Sequence, residues 1–354
     1  MRIVSVVGAR PQFVKLAPVA HAMAASAEPI EHVIVHTGQH YHSNMSEVFF
    51  ADLGIPEPDA RLEVGSATHG RQTGAMLAKM DEVLEEYRPD WVLVYGDTNS
   101  TIAGALSAVK MHIKLAHLEA GLRSFNRRMP EEHNRVVTDH LADLCLAPTE
   151  VAMKNLAQVG LADRSVLVGD VMTDVLYRVR DRVSGLPPRL PEELHGKEFR
   201  IATLHRAGNT DARARLAAIV AALAGLPTPT LLVAHPRLRA GAAKFGIELA
   251  TGSLLVIDPL PYPELVRAVM ASAGVITDSG GLQKEAFLLR VPCTTVRAET
   301  EWVETVELGW NVLAPNPAGL ADAVTRPTPA PTTAQPYGDG RAAARVVAAL
   351  IDRS

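Results

Sequence analysis

The stretch Trp91-Val-Leu-Val-Tyr95-Gly96-Asp97-Thr98-Asn99 is followed, after a helical pattern over 101–111, by Lys114-Leu-Ala-His-Leu118-Glu119. Two continuous apolar runs, each ended by a polar turn, flank a helix-period segment. Strands buried on both faces read as such runs, and the helix between them reads as a crossover. The unit is therefore strand–helix–strand in a parallel sheet covered by helices. Working outward, similar runs occur at 2–7, 32–36, 144–147 and 165–168, with helical patterns over 15–25, 71–87 and 151–159. The segment 184–197 breaks the rhythm with Gly185, Pro187, Pro188 and Pro191, the composition of a linker. The alternation restarts at 201–204, 230–234, 254–257, 274–277 and 294–296. The expected architecture is α/β, with two doubly wound Rossmann-like domains, 1–183 and 184–335, facing a cleft. The Pro/Thr-rich stretch 326–335 reads as extended. The helical pattern at 341–350 places 336–354 back on the first domain.

Composition bounds the function. Across 354 residues, 35 Lys+Arg against 39 Asp+Glu give a net charge of -4, which argues against a nucleic-acid partner. Apolar residues at 47% and charged residues at 21% supply a core and exclude general disorder. No apolar run approaches the ~20 residues of a membrane span, and the N-terminal run is too short for a signal peptide. Cys145 and Cys293 each lie in an apolar run, a pattern that suits neither a disulfide framework nor zinc and points to a reduced, cytoplasmic setting.

The odd polar residues all lie just past predicted strands. They are Gly8-Ala9-Arg10-Pro11 with Lys15, Thr37-Gly38-Gln39-His40, Gly96-Asp97, Glu119-Ala-Gly121, His205-Arg206, His235-Pro236 and Asp278-Ser279-Gly280-Gly281. In open α/β sheets ligands bind at that edge, although any one of these is also ordinary turn chemistry. Ser279-Gly280-Gly281 suits an anion at a helix N-terminus, or simply a Ser cap and a tight turn. Glu285, four residues on, suits a ribose hydroxyl or solvent. Asp97, Glu119, Glu131 and Glu132 supply carboxylates for acid–base work, which needs groups on two sides of a substrate. Asp97 also reads as a helix cap, and Glu131 as a first-turn acid after Pro130. His205 and His235 each follow an apolar strand, where a lone histidine is often a satisfied core residue, but His205-Arg206 together suits a leaving diphosphate better than a metal, since no zinc-type histidine spacing occurs. Neither a dinucleotide fingerprint nor a Walker loop is present, and no cofactor is expected.

Several motifs together resemble the non-hydrolysing UDP-N-acetylglucosamine 2-epimerases. They are Gly8-Ala-Arg10-Pro11 with Lys15, Gly96-Asp97-Thr98, His117-Leu-Glu119-Ala-Gly121-Leu-Arg123 and Pro130-Glu-Glu132-His-Asn134-Arg135. Thr203-Leu-His205-Arg206, Thr277-Asp-Ser279-Gly280-Gly281 with Gln283 and Glu285, and Tyr337-Gly-Asp-Gly340 continue the match in the same order. The resemblance implies a glycosyltransferase-B-like fold, a UDP-sugar in an interdomain cleft and a homodimer. It implies acid/base roles for Asp97, Glu119 and Glu132 and a place near the diphosphate for His205. Arg10, Lys15, Arg135 and His235 match polar cleft positions. Ser279, Gly280 and Gly281 match the phosphate loop, and Glu285 the ribose contact. The implied chemistry is anti elimination of UDP to a bound 2-acetamidoglucal and re-addition on the other face. It also implies, for some members, an activating UDP-sugar site near Gln39, His40, Arg71, Gln72 and His235, although His42 stands where a glutamine is common.

The resemblance departs at two places. A usual His-Arg-x-Glu-Asn reads His205-Arg-Ala-Gly208-Asn209, and a usual Thr-Glu-Arg-Pro-Glu reads Thr300-Glu301-Trp302-Val303-Glu304. Both touch the sugar end. The alternatives that stay open are a hydrolysing 2-epimerase, a 2-epimerase of a modified sugar, a glycosyltransferase of the same fold, and a nucleotide-sugar sensor without chemistry.

Overall fold

The computed structural model describes residues 1–38 and 54–354. The chain forms two compact units, Met1–Tyr177 with Gln335–Ser354, and Arg178–Ala334. The division falls inside the helix Val171–Val183 rather than in the Pro-rich stretch that follows it.

The first unit holds seven strands: β1 (Arg2–Val7), β2 (Glu31–His36), β3 (Ala60–Arg61), β4 (Trp91–Tyr95), β5 (Lys114–Leu118), β6 (Leu144–Ala147) and β7 (Ser165–Leu167). Their order is β3-β2-β1-β4-β5-β6-β7, with every pairing parallel. Successive residues of one strand feed two separate cores. Ile3, Val7, Leu93 and Tyr95 pack with residues of the helices Arg10–Ala24 and Ala342–Asp352. Val4, Val6, Val92 and Val94 pack on the other face with Met76, Met80 and Leu84 and with Ala103, Ala105 and Ala108. Burial on both faces is why these runs carry no polar alternation, each large side chain contributing about 1.5–3 kcal/mol. The C-terminal helix Ala342–Asp352 is fixed at its start, where the Ala342 and Ala343 N–H groups donate to Asp174.

The second unit repeats the plan with β8 (Arg200–Thr203), β9 (Thr230–Val233), β10 (Leu254–Ile257), β11 (Val275–Thr277), β12 (Cys293–Thr295) and β13 (Asn311–Leu313). The order is β10-β9-β8-β11-β12-β13, again all parallel. In each unit the winding reverses once, between β1 and β4 and between β8 and β11. A crevice opens outside the strand ends at such a switch point.

The helix expected from residue 15 begins at Arg10. Pro11 suits a first turn, and the Gln12 side chain satisfies the Gly8 and Ala9 N–H groups. Cys145 and Cys293 are both buried free thiols, each pushed up to about 12 by burial. Among the described residues, no helix is long and apolar enough to cross a membrane.

Candidate functional site

In the first unit the switch point is built on Gln12. Its amide oxygen accepts from Gly8 and Ala9, while its nitrogen donates to the Tyr95 carbonyl at 2.8 Å and to Thr101 at 3.1 Å. One buried side chain thus ties the turn after β1 to the turn after β4. Arg10 opens the first helix, and Lys15 lies one turn further along it. The Lys15 ammonium pairs with Glu119, the residue that follows β5. Burial alone would lower the Lys15 pKa, but the Glu119 carboxylate, aided by Asp97 and Asp170, raises it overall.

Asp97 follows Gly96, and Thr98, not Asp97, caps the helix Asn99–Lys110 through a reciprocal bond pair with Thr101. The Asp97 carboxylate is left for Arg135, which pairs with it and also reaches Glu132 at 3.2 Å. Asn134 donates to the Asp97 carbonyl at 2.9 Å. Glu132 is only 5% exposed and accepts from the Ser124 N–H and hydroxyl and the Phe125 N–H at 2.8–3.1 Å. Burial alone would raise its pKa, but those Ser124 donors, with Arg135 and Phe125, hold it below its ordinary value. In this geometry Glu132 anchors the loop 124–125 as well as belonging to the carboxylate cluster.

Two backbone positions are under constraint. Gly96 sits at φ 63°, and a Cβ there would lie 3.1 Å from the Glu119 Oε2 atom and 3.3 Å from the Lys15 Nζ. Glu119 itself adopts φ 74°, a left-handed conformation costly for any residue but glycine. Such outliers cluster where a side chain must be aimed.

In the second unit Asp278, fully buried at the end of β11, organises the loop after β8. Its carboxylate accepts from the His205 and Arg206 N–H groups and from Asn209 at 3.0–3.2 Å, and it meets the His205 Nδ1 at 3.0 Å. Burial would raise the Asp278 pKa; His205, Asn209 and Arg206 hold it below its ordinary value. An ionised carboxylate on Nδ1 orients the ring and leaves Nε2 to meet a ligand. The His235 ring lies 5.7 Å from that of His205, and its Nδ1 accepts from the Arg237 N–H as a helix cap.

Ser279 occupies the N-cap position of the helix Gly280–Leu288, yet its side chain makes no capping bond. The Ser-cap alternative therefore fails, while the Ser279 N–H itself donates to the Thr277 hydroxyl at 3.0 Å. A Cβ on Gly280 would lie 2.4 Å from the Glu301 Oε1, and one on Gly281 would meet nothing within 4 Å. Glu285 accepts from the Tyr262 hydroxyl at 2.9 Å. Burial, then the nearby Glu285, raises the Tyr262 pKa, so this phenol is a permanent donor.

Of the residues assigned to an activating site, Gln39 and His40 lie outside the described residues, as does His42. Arg71 is exposed, whereas Gln72 is buried with its amide engaged by the Gly65 carbonyl and Asn99. Among the described residues, no group of three or more His, Cys, Asp or Glu gathers to hold a metal. Sequence reasoning gave no role to Gln12, His117, Asp139, Tyr262 or Asp278, although His117 and Asp278 stand inside motifs it singled out. Asp278 carried a local signal, as a strand-end acid before Ser-Gly-Gly.

The family described as UDP-N-acetylglucosamine 2-epimerase matches residues 22–351. A Pseudomonas aeruginosa protein, UDP-2,3-diacetamido-2,3-dideoxy-D-glucuronate 2-epimerase, is 45% identical over 98% of both chains. A Methanococcus maripaludis UDP-N-acetylglucosamine 2-epimerase homolog is 43% identical over 99% of both. The crystal structure of the Methanocaldococcus jannaschii UDP-GlcNAc 2-epimerase with UDP-GlcNAc and UDP superposes with a TM-score of 0.80. It is 36% identical, and the match covers 99% of this chain and 100% of that one.

Proposed function

Because the chain belongs to the UDP-N-acetylglucosamine 2-epimerase family, we propose that it inverts C2 of a UDP-linked 2-acetamido sugar by elimination and re-addition of UDP. The second unit takes the UDP. Its diphosphate lies on the Ser279-Gly280-Gly281 loop, with the N–H groups of Gly280 and Gly281 and the Ser279 hydroxyl as donors, where a helix N-terminus favours an anion, and Glu285 receives the ribose. His205, oriented by Asp278, stabilises the departing diphosphate with Arg206. The first unit serves the sugar, with Asp97, Glu119 and Glu132 as the acid–base set and Arg10, Lys15 and Arg135 as its cationic partners. Arg71 and Gln72 remain from the proposed activating site, with the buried Gln72 shaping it rather than touching a ligand.

In the forward step one carboxylate takes the C2 proton while the C1–O bond breaks and its electron pair leaves with UDP. The product is a 2-acetamidoglucal. A second carboxylate then delivers a proton to the opposite face of C2, and a β-phosphate oxygen re-forms the bond to C1. The observation that supports this reading is the carboxylate cluster of the first unit, where Glu119 is held at a left-handed φ beside Lys15, and Asp97 and Glu132 share Arg135. A homodimer in the cytoplasm completes the proposal.

A second reading concerns the sugar. The relative named for a diacetamido glucuronate is 45% identical, and the resemblance departs at Gly208 and at Trp302-Val303, which neighbour the loops given to the diphosphate. A substrate substituted at C3 and C6 is the consequence.

Proton NMR of the purified protein with UDP-N-acetylglucosamine and, in parallel, the diacetamido glucuronate, in D2O, tests both. The proposal expects the manno anomeric signal with deuterium at C2. Free sugar and UDP would make the enzyme a hydrolysing one, and no epimer from either substrate would refute the reading. Complete retention of protium at C2 in epimerised product would remove the two-carboxylate path.

A further inference from the structure

His117 lies in β5 with no exposed surface, two residues ahead of Glu119. Its Nδ1 is 2.7 Å from an Asp139 carboxylate oxygen, and its Nε2 is 2.7 Å from the Gly96 carbonyl oxygen. A carbonyl accepts only, and so does an ionised carboxylate. Asp139 is ionised, its carboxylate paired with the Arg123 guanidinium. It also accepts from Arg123 at 2.6 Å and from the Gly121 N–H at 3.1 Å. Both ring nitrogens of His117 therefore face acceptors, and only a ring carrying both protons satisfies them.

The neighbouring carboxylates have cations of their own: Glu119 meets Lys15, Asp97 and Glu132 meet Arg135, and Asp139 meets Arg123. Cys145 donates to the Asp139 backbone carbonyl at 3.5 Å and is held as a neutral thiol by burial.

We propose that His117, doubly protonated, and Asp139 form a positioning pair that sets the backbone beneath both Asp97 and Glu119. The Nε2–H fixes the carbonyl of Gly96, the residue before Asp97. The Asp139 carboxylate fixes the Gly121 N–H, two residues after Glu119. Glu119 is thus held between two anchors of one buried pair, and the Ala120 and Glu119 N–H groups both donate to the Leu146 carbonyl. This over-determination sustains the left-handed φ of Glu119. Neither member of the pair touches substrate. Their part is to keep two catalytic loops in register, and it rests on the function proposed above.

Two measurements test this. The first reads the ring without turnover. The full chain labelled with 15N-histidine, 13 residues in all, is examined at neutral pH, with the His117 signals assigned by their absence in His117→Gln. If that variant does not fold, they are assigned by their displacement in Asp139→Asn. Two protonated-type 15N resonances with two slowly exchanging N–H protons are expected. One bare-nitrogen resonance overturns the proposal, whatever the enzyme's substrate proves to be.

The second reads the register. In folded His117→Gln, kcat should fall about 100-fold, as for a misplaced reacting group, with KM held within about threefold. Asp139→Asn should match it, and the double variant should be no worse than either, because the two act as a unit. Unchanged kcat per folded molecule, or losses that multiply in the double variant, reduces the pair to a core polar contact and overturns the proposal.

Discussion

Placing alanine at Gly96 puts the constraint on the first-unit site to a direct test, because Gly160 supplies a matched control. Gly96 and Gly160 have φ of 63° and 78°, so a Cβ strains both backbones alike. A left-handed non-glycine residue costs about 1–2 kcal/mol. The reduced freedom of the unfolded chain returns about 0.4–1 kcal/mol. Each variant should therefore lose about 1 kcal/mol in urea unfolding. Beyond this the two diverge. Nothing lies within 4 Å of a Cβ at Gly160, whereas at Gly96 it meets the Glu119 Oε2 atom at 3.1 Å and the Lys15 Nζ at 3.3 Å. Both are ends of flexible side chains, so they give way by a few tenths of an ångström at little cost to stability. Turnover is less forgiving of a displaced carboxylate, and a loss of about 10- to 100-fold is expected for Gly96→Ala alone. The assay is epimer formation by NMR, normalised to folded protein. Equal turnover in Gly96→Ala and Gly160→Ala would refute the idea that the Lys15–Glu119 pair is held in a working geometry.

Asp97→Asn and Glu119→Gln should each lower turnover by about 100- to 10,000-fold, and Glu119→Gln should also lower the melting temperature, because it leaves the largely buried Lys15 ammonium without its carboxylate. Glu132→Gln should lower both, since an amide nitrogen would face donors and leave them unsatisfied, at about 1–3 kcal/mol; an unchanged melting temperature would remove Glu132 as loop anchor. UDP alone should raise the thermal midpoint, by about 2.7 kcal/mol of added stability at 100 times Kd. Gly280→Asp should abolish that shift, because its Cβ meets Glu301 at 2.4 Å and its charge opposes the phosphates; a full shift in the folded variant would misplace the phosphate loop. Burial holds His32 and His36 down to about 4, from an ordinary 6.5. Between those values the unfolded chain binds more protons, so stability falls as pH drops below 6.5, by up to about 2 kcal/mol per histidine at pH 5. Urea unfolding at pH 7.5 and 5 should show this, and His32→Gln should remove about half of it. Below pH 4 Glu132, Asp139 and Asp278 add to the loss. Their depressed pKa values stabilise the fold above the ordinary 4.5, 3.8 and 3.8 and cease to as pH falls through the folded values.

The sheets were legible because strands with two buried faces leave unbroken apolar runs. β3 and β13 were not, since two residues in one case and a run opening with Asn311 in the other carry too little apolar pattern. The candidate site was legible where a polar residue follows a strand, as at Asp97, Glu119, His205 and Ser279, whose proposed roles await the tests above. What escaped was the scaffolding. Gln12 is joined to Tyr95 and Thr101 across more than eighty residues, and His117 to Asp139 across 22. A buried Gln or Asp inside a helical pattern looks like any other solvated position until the sheet order brings its partner alongside. Capping was ambiguous for a related reason. Asp97 and Thr98 are both good caps, and only the Thr98–Thr101 bonds show that Thr98 caps and Asp97 is left for Arg135.

The division of labour follows from the chemistry proposed for the two units. The C2–H bond of a 2-acetamido sugar is not acidic, and a carboxylate is a poor base for it. Deprotonation becomes feasible once the C1–O bond has begun to break and positive charge develops at C1, beside C2. The demanding task is therefore stabilisation of the leaving diphosphate, by donors fixed before the reaction starts. The second unit has that character: Asp278 spends its whole hydrogen-bonding capacity on orienting His205, Arg206 and Asn209, and the Ser279 side chain leaves the helix start uncapped. The first unit then needs only carboxylates aimed at two faces of one carbon, so its constraints are geometric, in the left-handed Glu119 and the obligatory Gly96. On this division, changes around Asp278 slow C1–O cleavage itself, seen as slower positional scrambling of an 18O label from the bridging oxygen. Changes at Asp97 or Glu119 stop deuterium entry at C2 and leave UDP binding intact.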